Sequence, residues 1–447
     1  MNKDYISTLA EKAEQNNRIP PHLYTEYNVK RGLRNSNGTG VLVGLTEIGD
    51  VHGYIIDEGE KVPVEGDLRY RGIPVRELVN GLAEEARFGF EEATYLLLFG
   101  ELPDKKSLEA FISALGEQKN LPHNFFEDMI LKAPSSDIMN KLARSVLALY
   151  SYDDNPDDVS VYNVLRQSIS LISRFPLLAA YGYQAKAYHY MGKSLVVHTP
   201  DPQKSIAENF LMLMRADGDY TRTEAETLDL SLVLHAEHGG GNNSTFVSHA
   251  ITSTGTDIYS SVAGAIGSLK GPRHGGANIK VKQMMDELKQ NVNDWKNEEL
   301  ILGYLQKILS KEAFDRSGLI YGIGHAVYTL SDPRCILLKE KAKILAAEKK
   351  STDEYELYEL VEKLAPEAFT RFKNNDKVVS ANVDFYSGLV YSMLGIPGDL
   401  YTPVFAVSRI SGWCAHIIEE IVNGGKIMRP AYKNVQKLTN YIPLDQR

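Results

Sequence analysis

Four glycine-bordered segments place side chains suited to proton transfer and anion binding where a chain turns. The most informative is Gly322-Ile-Gly-His-Ala-Val-Tyr-Thr-Leu-Ser-Asp-Pro-Arg334, which sets His325 among small residues and then opens a helix on an arginine. Asp332 suits the N-cap and Pro333 the first helical position, so Arg334 falls in the first turn. There the helix dipole disfavours a cation by about 0.3–1 kcal/mol. Arg334 is therefore either a solvated surface residue or a guanidinium that shares an anionic ligand with the helix terminus, its planar fork matched to a carboxylate.

The other three segments carry acids, bases and donors. Leu234-His-Ala-Glu-His-Gly-Gly-Gly-Asn-Asn243 ends a helix on glycines and leaves His238 at its C-terminal edge, as a cap for helix carbonyls or as a ligand contact. His235 and His238 stand at i and i+3 without the H-E-x-x-H pattern or a third ligand nearby, so no metal site is expected. In Gly271-Pro-Arg-His-Gly-Gly-Ala-Asn278 one helix stops, His274 follows, and the next helix opens near Ala277. A histidine at a helix N-terminus is favoured in its neutral form, which can donate a hydrogen bond to a carbonyl as an enol develops; the alternative is a loop histidine with a structural hydrogen bond. Asn382-Val-Asp-Phe-Tyr-Ser-Gly388 precedes an apolar helix. Asp384 there is either its N-cap or a general base shielded by Phe385 and Tyr386, and spacing is compatible with both.

Composition narrows the ligand. The 447 residues carry 49 basic and 58 acidic side chains, a net charge of -9 with a pI near 5.7, which argues against a broad nucleic-acid footprint. Basic groups must then act locally. Cys335 and Cys414 are the only cysteines, too few for a disulfide framework and without zinc-ligand spacing. The first seventeen residues mix Lys3, Asp4, Glu11, Lys12 and Glu14 with no apolar stretch, unlike a secretory or transit segment, and no apolar run is long enough to span a bilayer. The expectation is a cytoplasmic protein with no membrane partner.

Helical periodicity dominates. The exception is Gly40 to Gly72, where Val41-Leu-Val43, Val51 to Ile56 and Leu68-Arg-Tyr70, separated by Gly, Asp and Pro, suit a small set of strands. Pro74 suits a first helical position, Thr223-Glu-Ala-Glu226 reads as a capping box, and Ser260 to Leu269 is a small-residue helix stopped by Gly271-Pro272. The charged segments Lys280 to Glu312 and Lys339 to Glu362 read as solvated amphipathic helices. They bracket the His325 motif. The expected organisation is a large helical domain over 1–281, with the β region at about 40–72, a small helical domain over 282–387, and 388–447 returning to the large one.

Taken in order, His238 in HAEHGGGN, His274 in GPRHGGAN, His325 in GIGHAVYTLSDPR, Asp384 in NVDFYSG, Arg409 in FAVSRISGW and Arg429 in MRPAY resemble the citrate synthase family. The resemblance runs from about Gly44 to Tyr432 and is dense in the C-terminal half, while residues up to about Asn37 lie outside it. One departure is Ser380-Ala381, where the family often has a proline before the NVD stretch.

That resemblance implies a mainly α, two-domain fold forming a homodimer, and an acyltransferase of the tricarboxylic acid cycle that joins acetyl-CoA to oxaloacetate. Asp384 would remove a methyl proton from acetyl-CoA, His274 would hydrogen-bond the thioester oxygen, and His325 would polarise and protonate the ketone. His238, Arg334, Arg409 and Arg429 would hold the dicarboxylate, Arg429 crossing from the partner subunit. Main-chain groups of Gly322, Ile323, Gly324 and Ala326, with Asn382, would meet coenzyme A, and no metal or permanently bound cofactor is implied. The chemistry asks for such a set, because a thioester methyl is a poor acid that a carboxylate deprotonates only where a donor meets the developing oxyanion and water is excluded. The alternatives are 2-methylcitrate synthase, which would use the same residues on propionyl-CoA, a non-catalytic binding relative, and a metal-dependent hydrolase.

Overall fold

The computed structural model describes residues 3–58, 60–373 and 379–447. The expected small domain includes 374–378, which lie outside the described residues. Two compact units are distinguished, Met1–Leu45 with Ile55–Val62, and Thr46–Tyr54 with Pro63–Arg447. The first contains helices α1 (Lys3–Asn16) and α2 (Pro21–Glu26). A three-stranded sheet has the order β1 (Gly49–Asp57), β2 (Glu60–Tyr70), β3 (Ile73–Pro74), with Arg69 opposite Pro74 and Tyr70 opposite Ile73 in the antiparallel β2–β3 pair.

The rest is helical: α3 (Val75–Glu84), α4 (Phe90–Phe99), α5 (Lys105–Glu117), α6 (Ile138–Leu149), α7 (Val161–Met191), α8 (Ile206–Met214), α9 (Arg222–His235), α10 (Asn243–Thr252) and α11 (Ile258–Lys270). There follow α12 (Ala277–Asn291), α13 (Glu298–Leu309), α14 (Pro333–Glu348), α15 (Thr352–Lys373), α16 (Val383–Met393) and α17 (Tyr401–Val422). The mainly α expectation holds.

Helices α7 and α17 form the centre. Both are buried along most of their length, and α17 packs against α4, α7, α9, α10 and α11. Such close packing requires small side chains, and α17 supplies Ser408, Ser411, Gly412, Cys414 and Ala415 in one run. A Cβ on Gly412 would stand 2.5 Å from the Glu237 carboxylate. Helix α14 packs on α9, α15 and α16, and α12 on α13 and α16, so the elements carrying the motifs of the C-terminal half meet at their ends.

Several local expectations are corrected. Val41-Leu-Val43 lies outside the strands, where the backbone near it makes an isolated bridge from Arg34 to Gly40 and a bond from Val41 N–H to the Leu33 carbonyl rather than a continuous ladder. Alternating apolar residues cannot hold a strand without a neighbouring ladder to satisfy their amides. Pro74 is the N-cap of α3 rather than its first helical residue. The capping box of α9 is Thr221 with Glu224, two residues before the expected one, because Thr221 is the residue with extended backbone. Each long charged segment is two helices, α12 and α13 in one case and α14 and α15 in the other, joined by short turns. The end of α11 and the starts of α12 and α14 fall where the sequence places them, while α11 begins two residues earlier than expected, at Ile258.

The Thr221 cap ties two helices, since its hydroxyl accepts from Glu224 N–H and donates to Glu348 at the end of α14 at 2.6 Å. Thr221→Ala is expected to cost about 1 kcal/mol of stability, the usual value of an N-cap. Urea unfolding of the two proteins checks this, and an unchanged midpoint would show that the cap contributes nothing.

Candidate active site

Helix ends and turns deliver the expected residues to one place. His235 closes α9, and His238 follows three residues later in a turn where Gly239 takes a left-handed backbone (φ 80°). The α9 end is capped by the Ala236 main chain, so His238 is not needed as a cap. His274 sits in the turn between α11 and α12, and His325 in the irregular stretch before α14. Arg334 opens α14, Asp384 lies in the first turn of α16, and Arg409 is in the middle of α17.

Arg409 is fully buried. Its Nε donates to the His235 carbonyl at 2.6 Å, and neither terminal nitrogen has a hydrogen-bond partner. Burial drives its pKa down to about 10, with Glu237 and other neighbours offsetting only part of the cost. Four unmet donor sites on a desolvated cation form a socket for an anion. Next to it, the Nε2 atoms of His235 and His238 and the hydroxyl of Tyr328 are also buried without partners.

The rings above this cation are packed edge to face and stacked. His238 lies 5.4 Å from His325 and 5.6 Å from Tyr328, while His325 stacks on Tyr328 at 4.8 Å. Burial and then the Arg334 charge push His325 down to about 4, and the same two causes hold His238 well below its usual value. His325 Nδ1 accepts from the Val327 and Tyr328 amides, both at 3.1 Å, so the proton of the neutral ring resides on Nε2. That ring is a hydrogen-bond donor.

His274 is tuned the same way. Its Nε2 accepts from Ser244 N–H at 3.3 Å and lies 3.1 Å from the Ser244 hydroxyl, which is itself held by Trp413 Nε1 at 3.1 Å. The proton is left on Nδ1. The pKa falls to about 4 because of burial and the Arg409 charge. A structural hydrogen bond and a free donor coexist on one ring.

Asp384 is not the N-cap of α16. That role belongs to Asn382, whose side chain accepts from Asp384 N–H at 3.0 Å and donates to the Gly324 carbonyl at 2.8 Å. Desolvation raises the Asp384 carboxyl to about 6 even though Arg334 and Arg409 pull it down. A carboxylate of this basicity can take a proton near neutral pH.

Arg334 finds its first justification inside the protein. Its Nε and a terminal nitrogen donate to both oxygens of Asp332 at 3.0 and 2.8 Å, all buried, which corrects the solvated reading. Asp332 also accepts from Val383 N–H at 3.1 Å, so one carboxylate fixes the starts of both α14 and α16. The expected coenzyme segment is likewise tied: Gly322 O accepts from Asn382 N–H at 2.8 Å, Gly324 N–H donates to Ser380 O at 2.7 Å, and Ile323 pairs with Ala381. Gly322 has a left-handed backbone (φ 79°), and a Cβ there would meet Phe385 and Val281 at 2.8 Å. Ala326 stands exposed beside it. Arg429 lies in the irregular stretch after α17, exposed, and among the described residues it makes none of the hydrogen bonds or ion pairs of this cluster.

Sequence reasoning missed Tyr328, Ser244 and the second role of Asp332. Tyr328 belongs to the same short motif as His325 and Arg334, a signal available in the sequence. Ser244 had none beyond its place after the glycines. In chemical terms, the cluster presents a buried guanidinium fork for a carboxylate, two neutral imidazole donors for carbonyl oxygens, and a carboxylate poised as a base.

Comparison with known proteins shows which family the chain resembles in sequence and fold. The family model described as citrate synthase, C-terminal domain, matches residues 36–431. Citrate synthase of Haloferax volcanii is 32% identical over 427 residues, covering 94% of this chain and 99% of the relative. The 2-methylcitrate synthase 1 of Corynebacterium glutamicum is also 32% identical, over 94% of this chain and 98% of its own. Among solved structures, the ternary complex of Thermoplasma acidophilum citrate synthase with carboxymethyl coenzyme A and oxaloacetate superposes with a TM-score of 0.76 at 25% identity, covering 94% of this chain and 99% of that one. A family model over most of its length and relatives at 32% identity show that the chain belongs to the citrate synthase family of acyltransferases.

Proposed function

We propose that this protein condenses acetyl-CoA with oxaloacetate and water to give citrate and coenzyme A. The observation that carries the reading is Arg409, a buried cation with an empty hydrogen-bonding fork beneath two neutral imidazoles and a raised carboxyl. Oxaloacetate carries two carboxylates and a ketone. Arg409 and Arg334, with His238, take its carboxylates, and His325 Nε2–H polarises its ketone.

Acetyl-CoA then loses a methyl proton to Asp384 while His274 Nδ1–H stabilises the thioester oxygen of the enol. The enol carbon attacks the ketone carbon, whose oxygen takes a proton from His325, and hydrolysis of the resulting thioester releases coenzyme A. Neutral donors suit this sequence, because a cationic imidazole near Arg409 and Arg334 would cost electrostatic energy before substrate arrives. Coenzyme A is assigned to the Gly322 to Ala326 segment with Asn382. Residues 282–387 are assigned to a small domain that closes over the large one, excluding water from the enol.

The homodimer reading rests on Arg429. It is exposed on the segment after α17 and, among the described residues, takes no part in the hydrogen bonds or ion pairs of the cluster, and a two-fold partner would give it a carboxylate to bind. The preference for acetyl-CoA over propionyl-CoA is a difference of one methylene, about 1–3 kcal/mol in an apolar pocket. Relatives named 2-methylcitrate synthase match the chain as closely as those named citrate synthase, so propionyl-CoA is the second reading. Thiol release on adding oxaloacetate, measured with each acyl-CoA, tests both. Turnover with acetyl-CoA exceeding that with propionyl-CoA is expected, the reverse order would favour the second reading, and no release with either would defeat the proposal.

The acid limb of the pH profile is expected to follow Asp384. Its carboxylate form accumulates above a pKa of about 6, so kcat/KM should rise with pH through that value. Asp384→Asn should lower turnover by roughly three orders of magnitude or more, at the upper end of general-base effects, while oxaloacetate affinity stays nearly unchanged. Near-normal turnover in this variant would return Asp384 to a structural role.

Subunit exchange tests the shared site. Asp384→Asn and Arg429→Ala chains, each inactive alone, are mixed and allowed to exchange. If Arg429 serves the partner's site, one site of the mixed dimer has both defects and the other has neither, so activity returns. No recovery in mixed dimers verified by mass would place Arg429 in its own chain's site.

A further inference from the structure

Arg409 has an unusual neighbour. Glu237, one residue before His238, is fully buried, and its Oε2 has no hydrogen-bond partner. Room for its carboxylate is made by two glycines: a Cβ on Gly412 would lie 2.5 Å from Oε2, and one on Gly49 would lie 2.6 Å from Oε1. Arg409, Gly412 and His416 stand at i, i+3 and i+7 on α17, so they share one face of that helix. Glu237 is therefore placed across from Gly412, between a cation one turn before it and an imidazole one turn after it.

Its hydrogen bonds all point to one side. Oε1 accepts from His416 Nε2 at 3.0 Å and from the Gly239 amide, whereas the terminal nitrogens of Arg409 have no partner. Two buried opposite charges on neighbouring turns, both short of hydrogen bonds, would ordinarily pair. They do not.

The reason lies beyond His416. Its Nδ1 is 3.1 Å from His249 Nε2, and His249 Nδ1 is 3.0 Å from Glu420 Oε2; Glu419 also faces His416, at 3.6 Å. Two arrangements of protons satisfy the chain, with the imidazolium at His416 or at His249, and in both of them His416 Nε2 donates to Glu237 and His249 Nδ1 donates to Glu420. Burial opposes a charge on His416, but Glu237 more than offsets it and raises the pKa to about 9. The same imidazolium keeps Glu237 below the usual carboxylate range against the cost of its burial, and with burial it lowers His249.

We propose that His416 is a positioning residue of the anion site: by holding the Glu237 carboxylate it prevents that carboxylate from closing onto Arg409, and so leaves the guanidinium fork open to a carboxylate of the substrate. Glu237 still supplies a negative charge that makes a buried Arg409 tolerable without occupying its donors. The fork is thus kept charged and vacant at once. This rests on oxaloacetate being the ligand of Arg409.

The test is calorimetric binding of oxaloacetate to wild type, His416→Gln, and the double variant Glu237→Gln with His416→Gln. In His416→Gln the freed Glu237 turns to Arg409 and competes, so Kd should rise about tenfold or more, within the range seen when buried charge pairs are altered. The double variant has no competing carboxylate and should recover most of that affinity. A purely structural His416 predicts the opposite, with the second substitution adding to the loss. Wild-type affinity in His416→Gln, or a double variant as weak as the single one, overturns the inference while leaving the site assignment intact. Failure of wild type itself to bind oxaloacetate overturns the assignment and the inference together. Should His416→Gln not fold, NMR of ring-labelled histidine in wild type decides: a proton on His416 Nε2 at neutral pH is required, and a ring with Nε2 unprotonated refutes the proposal.

Discussion

Burying a guanidinium without giving its fork a partner is expensive, and in this protein the rest of the site is arranged around that expense. Arg409 sits at the middle of α17, the helix with the widest set of packing partners, so its position is rigid and water is excluded from it. Its charge reaches His235, His238, His274 and Asp384. Desolvation and that charge both disfavour protonated histidines, and the result is a set of neutral imidazole donors above a cationic floor. Asp384 feels the two effects in opposition, and desolvation prevails. A single buried cation thereby couples the binding of an anion to the protonation state of the groups that would act on it.

Orientation comes from the ends of helices. Asp332 caps α14, clamps Arg334 with both oxygens and accepts from the start of α16. Asn382 caps α16 and holds the Gly324 carbonyl. The two caps bind the His325 stretch, Arg334 and Asp384 into one block through six hydrogen bonds. His274 is held separately, through Ser244 and Trp413, by elements from α10 and α17.

Much of this was legible in the residues. Gly-Pro, Asp-Pro and triple-glycine punctuation marked the ends of α11, the start of α14 and the turn after α9, because those residues restrict or free the backbone locally wherever they occur. The order of six motifs identified the family. Where the sequence reading failed, the failures were of two kinds. Val41 to Val43 and the α9 capping box were misplaced because strand pairing and helix entry depend on partners not adjacent in the chain. The N-cap reading of Asp384 and the surface reading of Arg334 remained open because local spacing is the same in either case.

The sequence by itself determined the helical class, most helix boundaries near the site and the family, and it singled out particular histidines, arginines and carboxylates, since propensity, capping and motif order are properties of short segments. Only the tertiary structure decided what those groups are chemically. That His325 carries its proton on Nε2 follows from two amides of its own loop, but that His274 carries its proton on Nδ1 follows from Ser244, thirty residues away. The raised Asp384 and the lowered Arg409 arise from removal of water by helices distant in sequence, and the raised His416 from the buried Glu237 carboxylate, which outweighs that removal. Desolvation and hydrogen-bond partnership are set by what packs against a side chain, and no local pattern encodes that.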